Sequence, residues 1–152
     1  MASPASFQLR EDNQNVAVLL RGSALCKENE TLERISSAPD GLKKWTVMAY
    51  DPTGNKWTPW IDVAATNGTQ FPMGIYMGDF IDQATIEGDD QPGPILVGDA
   101  VLAEEGLVLF GAADLGSIVN VPANLNKSGE ECLRWVGIYV ENVVAISQPE
   151  NL

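Results

Sequence analysis

Histidine is absent from the 152 residues. That removes imidazole acid–base catalysis, imidazole metal ligands and every Ser-His-Asp arrangement at once. Cysteine is scarce: Cys26 and Cys132 stand far apart, with no CxxC or zinc spacing. They read as two small buried thiols in preference to a bridge. Basic residues are also few, with Lys+Arg 9 against Asp+Glu 21 and a formal charge of -12. Such a chain repels phosphate backbones, so nucleic acid is not an expected partner. The only adjacent basic pair is Lys43-Lys44. No apolar run is long enough to span a bilayer, and no membrane partner is expected. The start carries Glu11 and Asp12 in place of a basic segment, so a signal peptide is not expected either. The Asn-x-Ser/Thr matches at Asn29, Asn67 and Asn126 then read as chance. No GxSxG, P-loop or GxGxxG motif occurs, which leaves acyl-transfer and nucleotide chemistry without support.

What is present points to one globular domain. Hydrophobic residues make up 45% of the chain, an ordinary globular share. A domain of this length buries ~70% of the surface that its unfolded chain exposes. Residues 1–15 are small and polar, with Phe7 and Leu9 as the large apolar side chains and Arg10 beside them. They predict a flexible N-terminal arm. Residues 16–152 predict a compact, mainly β domain (α+β in minor part) of short strands with one short C-terminal helix.

The pattern along that domain is mostly of period two. Asn15–Leu25 reads as a first strand, with Gly22 at a bulge or turn. Glu28–Leu32 is a second short strand or a loop. Ser36–Leu42 holds Pro39-Asp40-Gly41, which is turn chemistry. Trp45–Tyr50 alternates Trp45, Val47 and Ala49 with Thr46, Met48 and Tyr50. Both faces are apolar, one for the core and one for a neighbouring subunit. Asp51–Lys56 predicts a hairpin with Gly54 in the left-handed region. Pro59 beside Trp60 predicts an edge strand. Phe71–Met77 is a clearer strand, with Gly74 allowing close approach. Glu87–Pro94 reads as a surface loop, and Ile95–Val97, Ala100–Ala103 and Leu107–Phe110 as further strands. Ser128-Gly-Glu-Glu131 fits a capping box, in which the Ser hydroxyl and the Glu carboxylate each take an orphan amide. Cys132, Trp135 and Val136 form an apolar stripe on the helix that follows. Gly137 ends it, unless Ile138–Val140 adds a turn. Val143–Ile146 returns to β character.

Two clusters invite other readings. Trp45, Trp57 and Trp60 are either packing residues, in a core or a subunit interface, or a carbohydrate platform; packing is favoured. Asp79 and Asp82, with Asp89 and Asp90 near, are a carboxylate pair, a calcium loop or a solvated acidic loop. The stretch lacks the 12-residue calcium pattern, and a solvated loop is favoured.

The order of these segments resembles the head decoration proteins of tailed bacteriophages (the lambda-type capsid-stabilising family). The resemblance is carried by Trp45-Thr-Val-Met-Ala-Tyr-Asp51 with Pro52-Thr-Gly-Asn-Lys-Trp57, then Pro72-Met-Gly-Ile-Tyr-Met-Gly-Asp79. Ile95-Leu-Val-Gly-Asp-Ala100, the helix from Ser128 to Gly137 and Val143–Ser147 continue it. It runs from about residue 40 to the end, with Val16–Gly22 similar to the leading strand of longer members. The longer stretch before the core departs from the smallest members, which leaves open where the binding segment lies. The resemblance implies a non-enzymatic viral structural protein, made in the host cytoplasm and placed on the outer surface of the virion head. Its implied partners are the major capsid protein and two further copies of itself in a homotrimer. Trimers of this kind sit at threefold and quasi-threefold sites and stabilise the expanded head against DNA pressure. Phe7, Leu9 and Arg10 are then the expected capsid-binding residues, and Trp57 and Trp60 the expected trimer interface. No cofactor, metal or catalytic residue is expected. The rival is a β-sandwich carbohydrate-binding or adhesion module built on the Trp cluster. An enzyme using Asp79 and Asp82 comes third.

Overall fold

In the computed structural model, residues 18–111 and 114–142 are described. The chain is mainly β, as expected. In order, its elements are β1 (Leu19–Arg21), β2 (Leu25–Leu32), β3 (Val47–Asp51), β4 (Lys56–Pro59), β5 (Pro72–Tyr76), α1 (Gln83–Gly88), β6 (Gln91–Gly98), β7 (Ala100–Ala103), β8 (Ile118–Val119), β9 (Lys127–Ser128), α2 (Gly129–Trp135) and β10 (Ile138–Glu141). Five strands close a barrel in the order β2-β4-β3-β5-β6. A separate sheet, β1-β7-β10, and a β8-β9 pair stand beside it.

Alternation along the strands divides the core in two. Leu32, Met48, Trp57, Tyr76 and Ile95, one from each barrel strand, pack together and fill the barrel. Val47, Ala49, Ile75 and Leu96 point the other way, into a second cluster. The three-stranded sheet covers that cluster with Leu102, Ile138 and Val140, and α2 with Cys132 and Leu133. Both faces of β3 are thus buried within one chain; the face expected to await a neighbour is already occupied.

So narrow a barrel cannot hold a large side chain at every inward position. A Cβ at Gly74 would stand 2.6 Å from Ile95 Cγ2 and 2.9 Å from Trp57 Cζ3. One at Gly93 would stand 2.9 Å from both Leu32 Cδ1 and Tyr76 Cε1. These glycines make the room that Trp57, Tyr76 and Leu32 fill. A plug containing Ala38, Leu42 and Ile86 packs against the same cluster.

Several local expectations are corrected. Pro59 lies in a barrel strand and not at an edge. β4 pairs antiparallel with β3, and meets β2 only at Trp57 and Leu32, so the proline sits clear of that contact. In the β3–β4 hairpin the left-handed residue is Asn55 (φ 55) and not Gly54. Asparagine tolerates that region, and its Oδ1 accepts the Tyr50 hydroxyl at 2.9 Å. Trp45 (φ 75) stands outside β3, its amide bonded to the Tyr76 carbonyl. The predicted loop Glu87–Pro94 is the end of α1 and the first half of β6. Leu107–Phe110 makes one bridge, Val108 with Thr46, and no full strand.

The capping box at α2 forms as its residues predict. Ser128 Oγ accepts the Glu131 amide at 3.2 Å, and Glu131 Oε1 accepts the Ser128 amide at 3.1 Å. That second bond holds the Glu131 carboxyl below its ordinary pKa. Its stabilisation is complete above the unfolded value and is lost as acid titrates through the lowered one. Ser128→Ala is expected to cost about 1 kcal/mol, read as a lower urea midpoint at neutral pH. The apolar stripe is Gly129, Cys132 and Leu133; Trp135 points outward. Gly137 (φ 83) ends the helix, and the chain continues as β10, parallel to β7. The strand expected at Val143–Ile146 lies outside the described residues.

Candidate binding surface

The expected capsid contacts Phe7, Leu9 and Arg10 also lie outside the described residues. The point at which their segment joins the fold is defined. The Val18 carbonyl accepts the Ala103 amide at 2.7 Å. Leu19 and Arg21 pair antiparallel with β7. On the other side of β7, Glu141 lies opposite Ala103, and its carboxylate holds Arg21 at 2.6 Å. The ends of the described chain, Val18 and Asn142, therefore flank the same end of β7. Among the described residues, β1 and β10 are the sheet's two outer strands, each paired on one side only.

Trp57 and Trp60, expected at a subunit interface, have almost no surface to give one: 5% and 0% exposed. Trp57 fills the barrel, its Nε1 donating to Glu30 Oε1 at 3.0 Å. Trp60 lies in the second cluster beneath α2, where a Cβ on Gly129 would stand 2.5 Å from its ring. Its Nε1 donates to the Gln70 carbonyl at 2.8 Å, and Gln70 Nε2 donates to the Val121 carbonyl at 3.1 Å. Trp45 is buried too. The three indoles therefore form no exposed stacking platform.

Two of the four acidic residues, Asp82 and Asp90, have separate structural tasks. Asp82 caps α1, accepting the Thr85 amide at 2.9 Å; the Thr85 side chain and then this amide lower its pKa. Asp90 holds Lys56 at 2.7 Å and the Arg34 amide at 2.8 Å, and the Lys56 contact chiefly lowers its pKa. The Asp79 carbonyl accepts the Tyr76 hydroxyl at 2.5 Å. Among the described residues no group of three or more His, Cys, Asp or Glu is placed to hold a metal ion. Cys26 and Cys132 are not bridged. Burial pushes the Cys132 thiol up to about 11, so it stays protonated at neutral pH. Burial, then Glu28, also raises Cys26.

One concavity is lined by residues from all five barrel strands. It has a volume of about 310 Å³ and is lined by Lys27, Glu30, Tyr50, Trp57, Met73, Val97 and Val136. Tyr50 and Trp57 meet there with ring centroids 5.0 Å apart, tilted by 57°. Trp135, which precedes Val136 in sequence, is 56% exposed and meets Phe71 at 6.0 Å between ring centroids. Leu25 is exposed at the start of β2. A helix count anchored on Gly129, Cys132, Leu133 and Val136 would have put Trp135 outside. The count through Trp135 chose the wrong turn of the helix. The arrangement offers apolar and aromatic contact with a few charges at the rim, which suits binding. Against protein-family models, curated proteins and solved structures alike, the chain has no match.

Proposed function

We propose that this is a decoration protein of a tailed-phage head. It binds the outer surface of the expanded capsid as a homotrimer and stabilises the shell without chemistry. Chief support comes from how the chain enters the fold. In sequence, the segment bearing Phe7, Leu9 and Arg10 leads into β1, an outer strand of its sheet among the described residues. An extended arm continuing from such a strand binds by adding main-chain hydrogen bonds to a sheet edge on the shell. Ordering an arm costs free energy, so one arm binds weakly. Three arms on one trimer make the later contacts intramolecular and raise avidity ~100- to 10,000-fold. A charge of -12 keeps free copies apart except where their contact is specific.

A carbohydrate module loses its platform, because Trp45, Trp57 and Trp60 are buried. The expected functional effect is mechanical. DNA-filled heads that carry the protein should keep their DNA through a heating step that empties undecorated heads. Equal loss with and without the protein would count against stabilisation.

A further inference from the structure

We infer that Asn67-Gly68 is a site of spontaneous deamidation in this chain, and that the Gln70 side chain holds it shut in the folded state. The inference is independent of the decoration role.

This is the only Asn-Gly pair in the sequence. A glycine after asparagine leaves its amide nitrogen unshielded by any Cβ. In deamidation the Gly68 nitrogen gives its proton to water and bonds to Asn67 Cγ. The Cγ–Nδ2 bond breaks, and ammonia leaves with a proton returned from water. Water then opens the cyclic imide to aspartate or isoaspartate. No oxidant or reductant takes part.

The electrophile is already prepared. Asn67 is exposed, and its Oδ1 accepts the Thr69 amide at 3.1 Å and the Thr69 hydroxyl at 2.6 Å. Negative charge gathers on that oxygen as the ring closes, so both donors favour closure. The nucleophile is what the fold withholds. The Gly68 N–H donates to Gln70 Oε1 at 2.8 Å. A hydrogen bond made by the neutral N–H is lost in the anion, so it opposes deprotonation. Gln70 is itself fixed. It is 5% exposed, its Nε2 donates to the Val121 carbonyl at 3.1 Å, and its own carbonyl accepts Trp60 Nε1. Asn67 and Thr69 also line a concavity with Glu33, Asp51 and Asp62, whose charges oppose an anion there. Deamidation would add a further carboxylate to that set. Isoaspartate would also lengthen the backbone at Gly68, where a Cβ alone would stand 2.9 Å from Pro52 Cδ.

The test incubates the full chain at mildly alkaline pH. Mass spectrometry of the peptide carrying residue 67 follows conversion, and amide hydrogen exchange follows Gly68. The expected result is a protected Gly68 amide. Conversion in the folded chain is expected to be ~10-fold slower than in urea, the effect of one hydrogen bond that must open first. Gln70→Ala, shown to be folded by far-UV circular dichroism, regains most of the unfolded rate. Ser128→Ala, weakened elsewhere, converts like the wild type. An unprotected Gly68 amide, or equal conversion in the folded and unfolded chains, would overturn the inference. So would a folded Gln70→Ala chain that converts at the wild-type rate, or a Ser128→Ala chain that converts as fast as Gln70→Ala. If Gln70→Ala does not fold, the wild-type exchange and the comparison with urea decide.

Discussion

Trp60→Ala is expected to remove most of the stability of this domain. Trp60 is fully buried between the barrel wall and α2. Truncating a buried tryptophan costs about 3–5 kcal/mol through lost transfer energy and the cavity left behind. Its indole N–H also satisfies the Gln70 carbonyl, and a buried acceptor left without a donor adds about 1–3 kcal/mol. A domain of this kind has about 5–15 kcal/mol in all. Urea unfolding followed by far-UV circular dichroism should show the midpoint collapse. Trp60→Phe keeps much of the volume and loses only the N–H, so its cost should be clearly smaller. A loss under about 1 kcal/mol for Trp60→Ala would mean that α2 does not depend on the indole for its seat.

Deleting residues 1–15 is expected to abolish capsid binding while the fold persists. Both described cores are assembled from Val18 onward, so the deletion leaves their contacts in place. Thermal unfolding should be nearly unchanged. On the proposed trimeric assembly, binding is expected to fall by at least ~100-fold, because all three arms would be lost together and avidity with them. Phe7→Ser with Leu9→Ser in the full chain should reproduce much of that loss if these two are the anchors proposed. Undiminished binding by the deleted chain would move the shell contact onto the barrel.

Local chemistry was readable where it is self-contained. The Ser128–Glu131 box needs only four consecutive residues, and it forms as read. The turn between β3 and β4 was visible, although Asn55, and not Gly54, takes the left-handed position. The double-sided burial of Val47, Met48 and Ala49 was also visible in their composition, but not that one chain supplies both covers. What escaped depends on partners remote in sequence. Gln91-Pro92-Gly93-Pro94 has the residues of a turn, yet β2 pairs Thr31 with Pro92 and Glu30 with Gly93 and draws it into the barrel. There Gly93 is small because Leu32 and Tyr76 need the space. α1 has one buried residue, Ile86, in six, too few to show a helical period. Trp57 and Trp60 flank Pro59 in a stretch that reads as an edge strand, with the indoles packed in a core or at a subunit interface. Only barrel closure and the seat of α2 show that both rings turn inward. Of the candidate surface, Trp135 was noticed and put on the wrong face. The concavity was invisible, because its lining comes from five strands and from Val136, just past α2.

The central claim is tested most directly by co-sedimentation of the full chain with expanded, undecorated heads assembled from a tailed-phage major capsid protein. The account predicts saturable binding near one copy per capsid subunit, as trimers at threefold sites require. Full-length protein that stays in the supernatant at every concentration would contradict it.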